Sequence, residues 1–392
     1  MACTTILVGK KASNDGSTMI ARNDDGFYDV KKMVVVDPKK QPRKYKSVIS
    51  HVEVELPDNP MRYTCCPSVD KKQGYEKAKS RREKDKIGGL GEEDLVVLVL
   101  PYIHSAKEGV IRLGKLLEQY GTYENNGIAF NDENEIWWFE SIGGHHWIAR
   151  RVKDEEYVMM PNQFGLDRFD LDDAFGEQKE NMCSADLKEF IEKYHLDTNN
   201  NGEFNPRLVF GSHDDQDHVY NTPRAWYMAR YFNPRTYKWD GENADYTPES
   251  DDIPWALVPE HKITVEDVKY ILSSYYQGTE YNPYSSNKSD KKGMYRSIGI
   301  ARTGFMSINQ IRSDVPDPIK AIEWICFGPN PFNVVLPVYT NTNKMPKYIS
   351  DISLDVDSNN FYWVSRLIGA LADPNYSTSI QNINRYQNGV AA

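Results

Sequence analysis

The chain has 392 residues, 40% of them hydrophobic, and a formal net charge of -10 from 57 acidic against 47 basic side chains. The length allows one large domain or two ordinary ones, and the acidic balance excludes the basic face that phosphate neutralisation needs, so no nucleic-acid partner is expected. No run approaches the roughly 18 apolar residues that cross a bilayer, and the first residues lack the basic and apolar regions of a secretory signal, so the protein is expected in the cytoplasm, off the membrane.

Taken in chain order, Thr4 to Val8 is a β-rich apolar run, followed by a Gly/Lys/Asn/Asp turn and a second run from Ser17 to Ala21, which predicts a hairpin beginning at the N-terminus. Lys32 to Val36 and Val48 to Leu56 read as further strands. Residues 67–88 are dense in Lys, Arg and Glu with almost no apolar residue, so they are expected as a charged, solvated loop. Leu113, Leu116, Leu117 and Tyr120 recur at helical spacing and Gly121 supplies a stop, which predicts a core helix. Three strands follow, Gly127 to Phe130, Glu135 to Glu140 and Trp147 to Val152. Helices are expected over Ala185 to Tyr194 after a Ser184 cap, over Arg224 to Tyr231 after Pro223, and over Thr264 to Ser274. Strands return at Ser297 to Phe305, Ile322 to Phe327 and Asn333 to Val338. Strands interspersed with helices, without regular βαβ alternation, predict an α+β layered fold, and no internal repeat or linker divides the chain.

The cysteines, Cys3, Cys65, Cys66, Cys183 and Cys326, are odd in number and scattered, and give neither a disulfide framework nor a zinc spacing. Cys3 stands almost at the terminus and runs straight into a strand. A thiol on the first residue of a mature chain has an α-amine beside it, titrating at about 7.7 to 8.0 against about 8.5 for a free thiol, so nucleophile and base come from one residue. That chemistry requires Met1 and Ala2 to be removed. Position alone is a weak signal, because a random cysteine is more often a small buried residue. The run His213-Asp214-Asp215-Gln216-Asp217-His218 has metal-ligating types but reads as a solvated loop, and Asp197 to Asn205 matches the first half of a calcium loop with Leu208 at the closing acidic position. No metal or organic cofactor is expected.

The block ACTTILVGKKASNDGSTMIARNDD is similar to the N-terminus of the bacterial dipeptidase A family, N-terminal-nucleophile hydrolases related to penicillin V acylases and bile-salt hydrolases. The resemblance continues through GLGEEDLVVLVLPYIHSAKEGVIRLGKLLEQYGTYENNGIAF, GGHHWIARRV, YVMMPNQFGLDRFD and GEQKENMCSADLKEFIEK, and covers most of the chain. It implies a single Ntn-hydrolase domain over 1–392, with residues 1–2 removed on maturation, built as a four-layer α-β-β-α sandwich. The implied site is Cys3 as nucleophile, Arg22 favouring the thiolate by its charge, Asp25 holding the α-amine or a substrate amine with Asp24 as competitor, Asn162 donating to the oxyanion, and Arg224 screening the thiolate or anchoring a substrate carboxylate. Arg230, six residues further, is expected to be structural, and His145-His146 could line the pocket.

The implied activity is hydrolysis of dipeptides through a thioester. The alternatives are a non-peptide amide acylase of the same fold and an inactive remnant. The remnant is considered because relatives follow PDNPMRYT with an apolar strand of the central sheet that supplies an oxyanion donor, where this chain has CCPSVDKKQGYEKAKSRREKDK, and because they continue beyond this C-terminus. The expected partners are dipeptide substrates, with a homo-oligomer left open.

Overall fold

The apolar run Ile6-Leu7-Val8, buried on both faces of its strand, sets the centre of the molecule. In the computed structural model, which describes residues 2–26, 29–70, 88–197 and 203–391, β1 (Ala2–Val8) and β2 (Thr18–Asp25) pair antiparallel. The turn between them is held by Asp15, whose Oδ1 accepts from Ser17 N at 3.1 Å, and Gly16 supplies a φ of 76°. The expected charged loop over 67–88 lies outside the described residues from 71 to 87. Before it stand two small pairs, β3 (Val34–Val36) with β6 (Tyr63–Cys65) and β4 (Lys44–Lys46) with β5 (Glu53–Glu55). The expected strand from Val48 to Leu56 thus shrinks to three residues.

After the helix Glu92–Val99 comes the helix Ala106–Tyr120, capped by Ser105, whose hydroxyl accepts from Glu108 N, and closed by Gly121 at φ 73°. The meander follows as β7 (Gly127–Asn131), β8 (Ile136–Gly143), β9 (His146–Val152) and β10 (Tyr157–Met160), then β11 (Asn181–Cys183). The helices Leu187–Tyr194, Thr222–Phe232 and Val265–Leu272 lie where the sequence puts them, though Ser184 is not a cap: its hydroxyl accepts from Trp147 N. β12 (Ala256–Leu257), β13 (Phe305–Ile311), β14 (Ala321–Phe327) and β15 (Leu336–Tyr339) complete the strands, and the helices Phe361–Ala372 and Tyr376–Ala391 end the described chain.

Seven strands form one antiparallel sheet in the order β12-β10-β1-β2-β13-β14-β15, and four form a second in the order β11-β9-β8-β7. Alternation distributes the core between them. Ile6, Val8, Met19 and Ala21 face the helices Thr222–Phe232 and Val265–Leu272, while Leu7 and Ile20 face Ile136, Trp138 and Ile148 of the smaller sheet. The far side of that sheet, with Trp137, Phe139 and Trp147, is covered by the helices Glu92–Val99 and Ala106–Tyr120. Gly114 permits this contact, since a Cβ there would lie 2.3 Å from the Trp147 ring. The chain is therefore α+β, stacked in the order helix, sheet, sheet, helix. Both neighbours of β1 are in place, and among the described residues β7 ends the smaller sheet, its residues lining the cleft described below.

The strand expected at Ser297 to Phe305 begins only where that range ends. Phe305–Ile311 alternates buried and half-buried positions, but Ser307, Asn309 and Gln310 mask the period in sequence. Gly299 instead packs tightly against the Ser273 carbonyl in a turn.

Candidate active site

Strand alternation sorts the residues of the first hairpin. Cys3 and Thr5 share the face of Leu7, and Thr4 shares that of Ile6. On β2, Arg22 and Asp24 go with Ile20, whereas Asn23 and Asp25 go with Ala21. The register sets Cys3 opposite Asp24 and Thr5 opposite Arg22. Cys3, Arg22 and Asp24 therefore look into one cleft of about 1370 Å³, whose lining also includes Glu92, Glu124 and Asn162.

Inside the cleft, Arg22 Nη2 donates to Cys3 Sγ at 3.0 Å. Burial pushes the Cys3 thiol up; Arg22 pulls it down, and the carboxylates of Asp24, Asp25 and Glu92 push it up again, so that it stays above its ordinary value. The thiol is thus mainly S–H at neutral pH, and attack requires a base. Asp24 pairs with Lys31 Nζ at 3.0 Å and lies 4.0 Å from Arg22 Nη2. Burial alone would raise its carboxyl, but Lys31 and Arg22 outweigh burial and hold it below the usual range.

Asn162 follows β10 and reaches the backbone of the first strand: its Oδ1 accepts from Cys3 N at 3.0 Å and from Arg224 Nη2 at 2.9 Å. These two donors fix which end of the amide accepts.

Arg224 is placed differently from its expected roles. It is fully buried behind β1, and its donors go to Tyr220 O (2.7 Å), Cys3 O (2.6 Å), Thr4 Oγ1 (2.6 Å), Asn162 Oδ1 and Asn221 Oδ1 (2.7 Å). With every donor direction spent on the protein and no surface in the cleft, it neither screens the thiol directly nor binds a substrate carboxylate. It holds the backbone of Cys3.

Asp25 is also on the helix side. Its side chain is fully buried, forms an ion pair with Arg296, and accepts from Thr303 Oγ1 at 2.6 Å. Burial pushes its carboxyl up against the pull of Arg296. It stands opposite Ala2 in the strand register, so the carboxylate sharing the face of the thiol is Asp24.

The histidines are elsewhere. His145 Nδ1 lies 2.8 Å from Glu118 O and 3.1 Å from Leu117 O at a helix end, and His146 stacks on Phe190 and meets Asp186 at 3.2 Å, so neither lines the cleft. His213 and His218 both face Asp251, at 3.5 and 3.1 Å, and among the described residues no group of three or more His, Cys, Asp or Glu side chains is arranged to hold a metal. Residues 198–202 of the calcium-like stretch lie outside the described residues. Arg230 pairs with Asp240 at 3.0 Å.

Sequence reasoning missed Lys31, Glu92, Asn221, Arg296 and Thr303. Only Asn221 carried a local signal, since Asn-Thr-Pro is a helix-start pattern. The others are brought in from distant segments.

The model of Peptidase family C69 matches residues 2–88 and 83–389, and the join falls within the charged stretch. A dipeptidase from Bifidobacterium longum (strain NCC 2705) is 50% identical over 432 residues, covering 100% of this chain and 81% of that protein. A probable dipeptidase A from Streptococcus pyogenes serotype M3 (strain SSI-1) is 48% identical over 98% of this chain and 86% of its own length, and dipeptidase A from Lactobacillus helveticus 43% over 95% and 82%. The 432 aligned positions exceed the 392 residues of the chain, so the Bifidobacterium protein has segments with no counterpart here. On the family match and these identities, the chain belongs to peptidase family C69, the family of the bacterial A-type dipeptidases.

Proposed function

We propose that the chain is a cytoplasmic dipeptidase of the N-terminal-nucleophile type, with Cys3 as the first residue of the mature enzyme. The observation that carries this reading is that both reactive atoms of Cys3 are addressed, Sγ by Arg22 and N by Asn162 Oδ1. The helix-sheet-sheet-helix order supports the corresponding fold, and the names of the relatives support the substrate. Among the described residues no helix is long and apolar enough to cross a membrane.

Once Met1 and Ala2 are gone, the Cys3 nitrogen is an α-amine with an ordinary value of about 7.7 to 8.0. It supplies the base that the raised thiol requires. The amine takes the thiol proton while sulfur attacks the peptide carbonyl, and the oxyanion receives a hydrogen bond from Asn162 Nδ2. The C–N bond then breaks, the α-ammonium gives its proton to the departing amine, and a thioester remains. Water adds to the thioester with the same amine as base, the C–S bond breaks, the sulfur takes back its proton from the ammonium, and the N-terminal amino acid of the dipeptide is released. Arg22 stabilises the sulfur anion through its charge. Asp24, on the face of the thiol, receives the substrate's α-ammonium, and Glu92 adds negative potential to the same wall. This acidic wall favours dipeptides over the non-peptide acylase reading, because an acyl group without an ammonium has no use for it.

The test is intact mass followed by turnover. A mature chain beginning at Cys3 that cleaves a free dipeptide, but cleaves the N-acetylated dipeptide far more slowly, supports the reading. A purified chain that retains Met1 or Ala2 and is inactive points to the remnant, and equal rates on both substrates point to an acylase.

A further inference from the structure

Three residues beyond Asn162, the backbone of Gly165 is held on both sides, at its N–H and at its C=O, by buried ionisable side chains. Glu140, on β8 and 1% exposed, accepts from Gly165 N at 3.0 Å and from Trp138 Nε1 at 2.9 Å. Arg207, 8% exposed, donates to Gly165 O through Nε at 3.1 Å and Nη2 at 2.8 Å. Its Nη1 donates to the carbonyls of Asp251 (2.9 Å) and Ile253 (2.8 Å), and its backbone N to Leu166 O (2.8 Å). This backbone has no room to drift, since a Cβ on Gly165 would lie 2.5 Å from Met160 Sδ and 2.9 Å from Trp255 Cδ1.

A carboxyl that burial pushes up to about 7, and a guanidinium with Asp167 3.9 Å from its Nη2, are both removed from water and hydrogen-bonded to the backbone of one residue, which is a costly arrangement. Neutral partners would satisfy the same N–H and C=O. Bonds to ionisable donors and acceptors are stronger than neutral ones, and the two-pronged contact of the guanidinium on Gly165 O adds directionality, which suits a segment whose angle matters more than its burial. The other end of that segment is fixed as well, because Asn162 N donates to Asn221 Oδ1 at 3.0 Å and Asn162 Oδ1 is held by Cys3 N and Arg224. Glu140 lines the cleft that contains Cys3 and Asn162.

We infer that Glu140 and Arg207 are positioning residues for Asn162: by clamping the Gly165 backbone they set the angle at which the oxyanion donor enters the cleft. The inference rests on the reading of Asn162 as that donor.

The test measures kcat and KM of the mature enzyme on one dipeptide for Asn162→Ala, Glu140→Gln, Arg207→Lys and the double variant Asn162→Ala/Glu140→Gln, with melting curves for each. Glu140→Gln keeps the shape but weakens the clamp, and is expected to lower kcat by about 10- to 100-fold with KM nearly unchanged. The double variant is expected to be no slower than Asn162→Ala alone, since the clamp acts through the side chain that is already gone. Arg207→Lys, which cannot reach Gly165 O and both other carbonyls together, is expected to repeat the kcat loss and carries the test if Glu140→Gln does not fold. Unchanged kcat in the folded clamp variants, or a full multiplicative loss in the double variant, overturns the clamp and leaves the donor reading standing. Unchanged kcat in Asn162→Ala overturns the donor reading itself.

Discussion

The two faces of the first hairpin carry the same kinds of residue and use them in opposite ways. Toward the cleft stand Cys3, Arg22 and Asp24, with the Arg22 side chain 47% exposed and in contact with the thiol. Toward the helices stand Thr4, Asn23 and Asp25, all buried, met by the fully buried Arg224, whose donors all go to the protein, and by Arg296, whose side chain is nearly buried and pairs with Asp25. Arginine and aspartate therefore face the cleft on one side, where the proposed mechanism uses them, and serve as framework on the other, and a single step along the strand separates the two. The cleft-side charges keep some contact with solvent; Asp25 and Arg224, behind the strand, have almost none.

This contrast predicts different kinds of damage. Cys3→Ala should remove turnover, on the order of 10⁴-fold or more, while the melting temperature stays put; residual activity on dipeptides near the parent rate breaks the assignment. On the framework face, Asp25→Asn leaves the buried Arg296 without its counter-charge and should cost about 3–5 kcal/mol in a denaturant melt. Arg224→Met, which strips donors from Cys3 O, Thr4 and both asparagines, should do comparable damage. Asp24→Asn should lower kcat/KM about 10- to 100-fold on a free dipeptide and cost less in the melt than Asp25→Asn, since Lys31 loses its partner but both side chains of that pair keep some solvent contact. If Asp24→Asn instead unfolds the protein while Asp25→Asn only slows it, the two faces have been assigned in reverse.

Much of this was legible in the sequence, and the part that was not has a physical reason. The hairpin could be read because Thr4 to Val8 is an unbroken β-rich apolar run and the turn residues are explicit. Residues Ala106–Tyr120 could be read because apolar spacing, Ser105 and Gly121 agree. Even the sorting of Arg22 from Asp25 follows from counting, since an odd step along a strand changes face. The sequence could not tell that Arg224 would be wholly enclosed, because its neighbours Thr4, Asn162 and Asn221 come from three separate elements. Nor could it reveal the grip of Glu140 and Arg207 on Gly165, which joins β8 to a helix starting at Pro206. The strand Phe305–Ile311 was displaced in the reading because its cleft-side residues Ser307 and Asn309 are polar, as a strand lining a cleft requires.

Glu323 sharpens the comparison, because it lies in the cleft lining yet is buried like a framework residue, 7% exposed, with Thr64 Oγ1 donating to it at 3.4 Å. Burial pushes its carboxyl up to about 7, against an ordinary value near 4.3. A carboxyl raised in the folded state contributes most below its unfolded value, and that contribution is lost as pH rises toward 7. Glu323→Gln removes the ionisation and keeps an acceptor for Thr64. Its stability in a denaturant melt should match the parent's near pH 4.5 and exceed it at pH 8, by about 1–2 kcal/mol once solvent access through the cleft is allowed for. A difference that is the same at both pH values would mean that Glu323 is charged without strain, and that facing the cleft is enough to solvate a carboxylate even at this depth.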